Sequence, residues 1–223
     1  MNPFEQIGSA QLPDGVEMRL IKRGEDFTIF LNRDELMSSR MSGSEEALAT
    51  MTADRLGKRP KQQWLIGGYG MGFTLRAALA VVGGDAGLTV AELVPEIIDW
   101  ARGPMEHVAA GCLDDPRVTV VKDDVAMLIG TARQGYDAIL LDVDNGPDGL
   151  TIRANDRLYS NQGLRAAMAA LTPGGILAVW SAHPDAAFAK RLMSAGFKVD
   201  EVVVRARANG KGPRHVIWFA KKP

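Results

Sequence analysis

Short apolar runs alternate with helical patterns over most of the chain after Gln63. The apolar runs predict strands at Gln63–Gly67, Leu88–Glu92, Val118–Lys122, Tyr136–Asp142 and Gly175–Ser181. The segments between them carry apolar residues at helical spacing, over Phe73–Val82, Pro95–Ala109, Val125–Thr131 and Asn161–Leu171. Apolar strands that alternate with helices predict an α/β fold, in which helices cover both faces of a parallel sheet.

The end of the chain breaks this alternation. After a predicted helix near Pro184–Ala195, two strand patterns at Lys198–Arg205 and Arg214–Ala220 are joined only by a short glycine-containing loop. A short loop cannot make a parallel crossover, so we expect this last pair to be antiparallel. The resulting seven-stranded, Rossmann-like sheet is similar to that of class I S-adenosylmethionine-dependent methyltransferases. A dinucleotide dehydrogenase would instead have a second parallel set.

The segment before the main alternation predicts a smaller unit. Val16–Lys22 and Phe27–Leu31 read as a β-hairpin, and residues 1–15 read as a loose arm ending in a turn. A helix should follow, with Ser44 as its N-cap. We therefore predict two domains, a hairpin and helix region over residues 1–60 and a catalytic domain over residues 61–223. The exposed hairpin edges can pair with a second copy, which suggests a homodimer.

Composition narrows the class of protein. A net charge of −1 gives no field that would attract nucleic acid or an anionic membrane, so we expect a small-molecule substrate. The single cysteine excludes an internal disulfide, and the three histidines have no ligand spacing, so no metal site is predicted. There is no signal-peptide pattern and no apolar run long enough to span a bilayer, and we expect a cytoplasmic protein.

A glycine-rich turn follows the first strand of the main alternation. Gly68, Gly70 and Gly72 stand at alternate positions between that strand and the next helix. Strand, tight turn and helix start bring backbone N–H groups close to a bound nucleotide. Phe73 occupies the place where the dinucleotide fingerprint requires its third glycine, so an NAD site is the second choice.

Acidic residues stand at the carboxyl ends of the next two strands, where ligands bind in sheets of this type. Glu92 lies about 20 residues beyond the glycine turn, a spacing at which a carboxylate can accept both ribose hydroxyls. Asp123 and Asp124 follow the third strand. One of them is expected to accept from an adenine amine, and the other to cap the next helix.

The fourth strand ends in Asp142, with Asp144 two residues further on. Two carboxylates at the rim of a cleft suit the holding or deprotonation of a cationic nucleophile beside a sulfonium. Asp144 is equally interpreted as a turn residue before Gly146. His183 and His215 are isolated, and we interpret them first as structural residues and second as bases.

Several segments together resemble the spermidine synthases over nearly the whole chain. They are the glycine turn 66–76, the second-strand end 91–98, the third-strand region 115–124 and the fourth strand 136–142. The hairpin also matches the family's small β-domain in position. The resemblance implies that Glu92 holds ribose, Asp124 holds adenine and Asp142 orients the attacking amine.

The chain departs from the family pattern at residues that concern the substrate. Met71 stands where spermidine synthases carry an aspartate inside the glycine turn. An acid there would attract the ammonium of decarboxylated S-adenosylmethionine and repel a carboxylate, whereas methionine does neither. Four other departures follow the same comparison. Ala77 replaces a glutamate, Asn145 replaces the second aspartate of an Asp-x-x-Asp motif, Gly163-Leu164 replaces Phe-Tyr, and Ser44-Glu45-Glu46 replaces Tyr-His-Glu.

These departures order three hypotheses about function. The first is methyl transfer from S-adenosylmethionine to a small molecule, with Asp142 as proton acceptor and Tyr159 as a wall or hydrogen-bond donor. The second is aminopropyl transfer from decarboxylated S-adenosylmethionine to a diamine, whose cations would be bound by Asp142, Asp144 and Glu45 or Glu46. The third is a non-catalytic nucleoside-binding or dimerising scaffold.

Overall fold

A small antiparallel sheet forms the start of the chain. The computed structural model describes residues 2–12, 15–143, 146–147, 156–207 and 209–223. Four strands pair in sequence order, β1 (Glu5–Gln11), β2 (Glu17–Arg23), β3 (Asp26–Leu31) and β4 (Asp34–Ser38). The predicted hairpin is present as β2 and β3, which pair from Met18↔Leu31 to Arg23↔Asp26.

The main sheet has seven strands. They are β5 (Gln63–Gly67), β6 (Gly87–Ala91), β7 (Val118–Val121), β8 (Tyr136–Leu141), β9 (Leu171–Ser181), β10 (Lys198–Arg205) and β11 (Arg214–Lys221). Their spatial order is β10-β11-β9-β8-β5-β6-β7. Strands β5 to β9 are parallel, and β11 is antiparallel to both β9 and β10. The predicted α/β class, the mostly parallel sheet and the terminal antiparallel pair are all confirmed.

Eight α-helices accompany the described strands. They are α1 (Gly43–Leu56), α2 (Phe73–Val81), α3 (Pro95–Arg102), α4 (Glu106–Ala109), α5 (Val125–Thr131), α6 (Asp156–Tyr159), α7 (Asn161–Ala170) and α8 (Ala186–Ser194). Helix α1 follows the small sheet in the chain and lies against α2 and β9. The division of the chain at residue 60 stays a prediction.

Three sequence-based predictions about local structure are wrong. Residues 1–15 contain the strand β1 and are not a loose arm. The helix predicted over Pro95–Ala109 is two helices, because Gly103 leaves the helical conformation (φ −113°, ψ −109°) just before Pro104. Ser42, not Ser44, is the N-cap of α1, and Ser44 is fully buried in the first turn.

The small sheet packs directly on the main domain at β1. Its strand is irregular between Gln6 and Gly8, and the missing side chain of Gly8 makes room for the indole of Trp100 in α3. A Cβ at Gly8 would lie 2.5 Å from Trp100 Nε1. This contact places β2 and β4 above the carboxyl ends of β5 and β6, where they reach the cleft described next.

Candidate active site

The glycine turn has the conformation that its sequence predicts. Gly68, Gly70 and Gly72 all have positive φ, of +81°, +56° and +81°. A Cβ at Gly68 would lie 2.7 Å from the backbone oxygen of Asp142, and one at Gly72 would lie 2.6 Å from Tyr69 Oη. Close approach and left-handed backbone therefore both require glycine, and the turn brings β5 and the end of β8 together.

Glu92 lies at the end of β6 and is 5% exposed. Its Oε2 accepts a hydrogen bond from the backbone N–H of Tyr69 (2.8 Å), and its Oε1 accepts one from that of Val94 (2.9 Å). Burial raises the pKa of the Glu92 carboxyl, and these backbone donors oppose the rise. Glu92 also lines the cleft described below.

The two acids after β7 differ in what they already bind. Asp124 is the N-cap of α5, with Oδ1 accepting from Ala126 N at 2.7 Å, and its Oδ2 forms an ion pair with Arg157. Asp123 is exposed, and its Oδ1 accepts from the backbone N–H of Asp124. The capping role is therefore assigned to Asp124, and Asp123 has more capacity for a ligand.

A cleft of about 610 Å³, partly open to solvent, lies over these residues. The polar residues that line it are Glu92, Asp123, Asp124 and Asp142. Its apolar walls come from the main domain and from the small sheet, and include Met18, Leu36, Met37, Leu93, Val94, Ile97, Val125 and Val143. The predicted cofactor-binding residues Gly68 and Gly70 line the same cleft, while Gly72 begins α2 beside it.

A second cavity adjoins the first and shares Asp142 with it. Its other lining residues are Leu36, Met37, Glu45, Tyr69, Gly70, Met71, Phe73 and Trp180. Two carboxylates, Glu45 and Asp142, are thus set among aromatic and apolar walls. An apolar pocket with two acids suits a cationic group attached to a small carbon chain.

Burial raises the pKa values of both carboxyls in this second cavity. The pKa of Glu45 rises to about 7, through burial first and then through the negative charge of Asp142. The pKa of Asp142 rises to about 6 through burial, opposed by a hydrogen bond from Thr74. Carboxyls with pKa values near neutrality can take and release protons at physiological pH, as a general base must.

The remaining predicted residues have different positions. Tyr159 is 4% exposed, its hydroxyl donates to the carbonyl of Val143 (3.3 Å), and its ring packs edge-on against Phe188. It supports the segment after β8 and is absent from the lining of the two cavities described above. Asp144 lies outside the described residues.

The sequence pattern predicts no role in the site for Trp180, Phe73 or Thr74, and it predicts one for Glu45 only under the second hypothesis. Trp180 belongs to β9 and Phe73 to the first turn of α2, and both line the second cavity. Their apolar character looks like ordinary core in the sequence. The position of Trp180 at the carboxyl end of a parallel strand was the one available signal.

The described residues contain no helix that is long and apolar enough to cross a bilayer. Within the same ranges, no three His, Cys, Asp or Glu side chains are grouped as they would be around a metal ion.

Fold and site together define a class of protein. The sheet has seven mostly parallel strands and ends in an antiparallel pair, a glycine turn follows β5, and acids stand at the ends of β6, β7 and β8. These features are characteristic of the class I S-adenosylmethionine methyltransferase-like fold. The chain belongs to the spermine/spermidine synthase family, since the spermine/spermidine synthase domain matches residues 45–197.

Individual relatives agree with this assignment. A polyamine aminopropyltransferase of Mycobacterium tuberculosis is 33% identical over 171 residues, which are 75% of this chain and 31% of that protein. Putrescine N-methyltransferase 4 of Nicotiana tabacum is 35% identical over 121 residues, or 53% of this chain and 29% of that protein. The chain thus spans about a third of the length of these relatives.

A solved structure shows the same fold. The spermidine synthase of Thermotoga maritima superimposes with a TM-score of 0.77 at 20% sequence identity, over 98% of this chain and 73% of that one. The predicted resemblance to spermidine synthases is therefore confirmed. Methyl transfer, the first of the three functional hypotheses, receives less support from these comparisons than aminopropyl transfer.

Proposed function

We propose that this protein is an aminopropyltransferase of the spermidine synthase type, which transfers the aminopropyl group of decarboxylated S-adenosylmethionine to an amine. The observation that carries the proposal is the pair of adjoining cavities that share Asp142. One has the acids and glycine turn that suit a nucleoside, and the other has two carboxylates among apolar walls. The family match to the spermine/spermidine synthase domain supports the same reaction class.

The nucleoside of the donor would lie in the first cavity. Glu92 would accept the ribose hydroxyls while it keeps its bonds to the backbone N–H groups of Tyr69 and Val94. Asp123 would accept from the adenine amine, because Asp124 already caps α5 and pairs with Arg157. The positive φ values of Gly68 and Gly70 would let the backbone approach the donor closely.

The acceptor amine would enter the second cavity. Asp142, at the junction of the two, would hold the amine and take the proton that must leave nitrogen before it can attack. Phe73, Met71 and Trp180 would exclude water from the reacting groups. Nucleophilic displacement at a carbon bonded to a sulfonium mainly requires correct orientation of the reactants. Orientation can lower the barrier by on the order of 7–11 kcal/mol.

Methyl transfer from intact S-adenosylmethionine is the second candidate. It is favoured by Met71, which is 3% exposed and places no negative charge where spermidine synthases carry an aspartate. The similarity to putrescine N-methyltransferase 4 is the second observation in its favour.

The by-product of the reaction distinguishes the two candidates. The purified protein would be incubated with putrescine and either donor, and the nucleoside products separated by chromatography. Release of methylthioadenosine with decarboxylated S-adenosylmethionine is the expected result. Release of S-adenosylhomocysteine alone, with intact S-adenosylmethionine, would replace the proposal by the second candidate. Failure to bind both methylthioadenosine and S-adenosylhomocysteine in calorimetry would overturn both candidates.

A further inference from the structure

A chain of hydrogen bonds leads away from the second cavity behind Glu45. The Ser44 hydroxyl lies 2.6 Å from Glu45 Oε2, to which it donates, and 2.8 Å from His215 Nδ1. Ser44 is fully buried, so these two neighbours are its environment in place of water. The three residues come from the first turn of α1 and the start of β11, which are 171 residues apart in the chain.

The hydroxyl hydrogen of Ser44 couples the protonation of Glu45 to that of His215 Nδ1. When Ser44 donates to an ionised Glu45, its oxygen can accept, and His215 Nδ1 must carry the hydrogen. When Glu45 is protonated and donates to Ser44, the hydroxyl hydrogen turns toward His215, whose Nδ1 must then be bare. The hydrogen on Nδ1 thus accompanies ionised Glu45, and its absence accompanies protonated Glu45.

The surroundings keep His215 in its neutral form, in which both arrangements are available. Burial lowers the pKa of His215, and the nearby His183 lowers it further. The imidazole packs edge-on against Trp180, with ring centroids 4.7 Å apart. Trp180 is itself a wall of the second cavity, so the histidine stands directly behind the predicted acceptor site.

We propose that His215, acting through Ser44, positions Glu45 so that the Glu45–Asp142 pair, and not Asp142 alone, receives the proton that the acceptor ammonium loses. This inference rests on the proposed function. Glu45 is a catalytic residue in it, and Ser44 and His215 are positioning residues. The titratable groups that face Glu45 are Asp142, at the end of β8, and Glu46 on its own helix; His183 faces His215.

The step balances in atoms and charge. An N–H bond of the ammonium breaks and its proton passes to a carboxylate oxygen of the pair. The freed nitrogen lone pair forms the C–N bond, and the electrons of the breaking C–S bond remain on sulfur as a neutral thioether. Two positive charges and one carboxylate become a secondary ammonium and a neutral carboxylic acid.

The test is a titration of side-chain carboxyls by carbon-detected NMR on the full chain. Glu45→Gln identifies the Glu45 signal, whose midpoint should lie at about 7 in the wild type. Ser44→Ala should raise this midpoint by about one pH unit, the effect of removing a hydrogen bond to a charged group. His215→Phe should raise it less, and His215→Asn, whose amide can donate from the Nδ1 position, should restore it.

His107→Phe is the matched control, since His107 contacts Phe27 and the Glu25 carbonyl away from both cavities. The acid limb of kcat/KM for putrescine should shift upward with the Glu45 midpoint in Ser44→Ala. Midpoints that stay unchanged in both Ser44→Ala and His215→Phe, in proteins that still bind methylthioadenosine and alkylate putrescine, would overturn the inference alone. Shifted midpoints with no alkylation by the wild type would overturn the proposed function, and with it the proton-accepting role.

Discussion

The hydroxyl of Thr74 donates a hydrogen bond of 2.7 Å to Oδ2 of Asp142. Thr74 belongs to the first turn of α2, directly after the glycine turn, and Asp142 follows the last residue of β8. The same hydroxyl lies 3.4 Å from the backbone oxygen of Glu45. The glycine turn therefore fixes the carboxylate that both cavities share.

Removing this hydroxyl should make Asp142 a weaker acid. The Thr74 hydrogen bond lowers the Asp142 pKa from the level that burial alone would give. Thr74→Val should therefore move the acid limb of kcat/KM, which the Glu45–Asp142 pair sets together, upward. A shift of about one pH unit is expected. Thr74→Ser retains the hydroxyl and should behave as the wild type. An unchanged profile in Thr74→Val would mean that Asp142 does not contribute to the acid limb.

Glu45→Gln should change how stability depends on pH. The pKa of Glu45 is higher in the folded protein, at about 7, than its ordinary 4.5, so the folded state binds more protons between these values. Stability from this group therefore falls as pH rises through that window. Glutamine removes the effect, and the melting temperature of the variant relative to wild type should be higher at pH 8 than at pH 4. A difference independent of pH would contradict the assignment.

Glu92→Ala should abolish nucleoside binding. The substitution removes the acceptor of two backbone N–H groups, which organise the turn at Tyr69 and the start of α3 at Val94. Calorimetry with methylthioadenosine measures the loss directly. Asp142→Asn is the comparison variant, which should bind methylthioadenosine nearly as the wild type does but lose on the order of 100-fold or more in turnover. Normal turnover by Asp142→Asn would remove Asp142 from the mechanism.

Gly68→Ala should destabilise the protein. Its φ of +81° and the 2.7 Å approach of a Cβ to the Asp142 carbonyl both oppose a side chain. We expect a loss of more than about 1 kcal/mol in the free energy of unfolding, measured by denaturant titration. Gly130→Ala is the control, because Gly130 lies within α5 with open space around its Cβ position, and alanine there should stabilise by up to about 1 kcal/mol. Equal effects at the two positions would contradict the argument.

Met71→Asp should shift donor preference toward decarboxylated S-adenosylmethionine. A carboxylate at this position would attract the donor's ammonium and repel the carboxylate of the intact cofactor, which should change the affinity ratio about 10-fold or more. Competitive binding of the two donors measures this ratio, and Met71→Leu should leave it unchanged. If the ratio is the same in Met71→Asp, residue 71 does not face the donor's charged end.

Much of the main domain could be predicted from the sequence because apolar strands between helices leave a regular pattern. Strand β1 could not, since most of its residues are exposed or half-buried and it carries no apolar alternation. The division between α3 and α4 was readable in principle from Gly103-Pro104. The apolar residues keep helical spacing on both sides of this break, so periodicity alone predicts one continuous helix.

The residues of the candidate site could also be predicted only in part from the sequence. Acids at strand ends, such as Glu92 and Asp142, are predictable because all parallel strands present their carboxyl ends at one edge. The choice between Asp123 and Asp124 could not be predicted, because it depends on which carboxylate caps α5 and pairs with Arg157. Glu45 reaches the cavity only through the packing of α1 on α2, a tertiary contact with no local signature.

Met37 of β4 touches the glycine turn, with its Sδ 3.3 Å from where a Cβ of Gly70 would be, and lines both cavities. With Met18 and Leu36 it forms a wall that comes from outside the family-matched residues 45–197. A protein that began at residue 45 would keep Glu92, Asp123 and Asp142, and the proposed nucleoside site would be open to bulk water on one side. The first 44 residues, which the family match does not include, are therefore expected to be part of the minimal active unit.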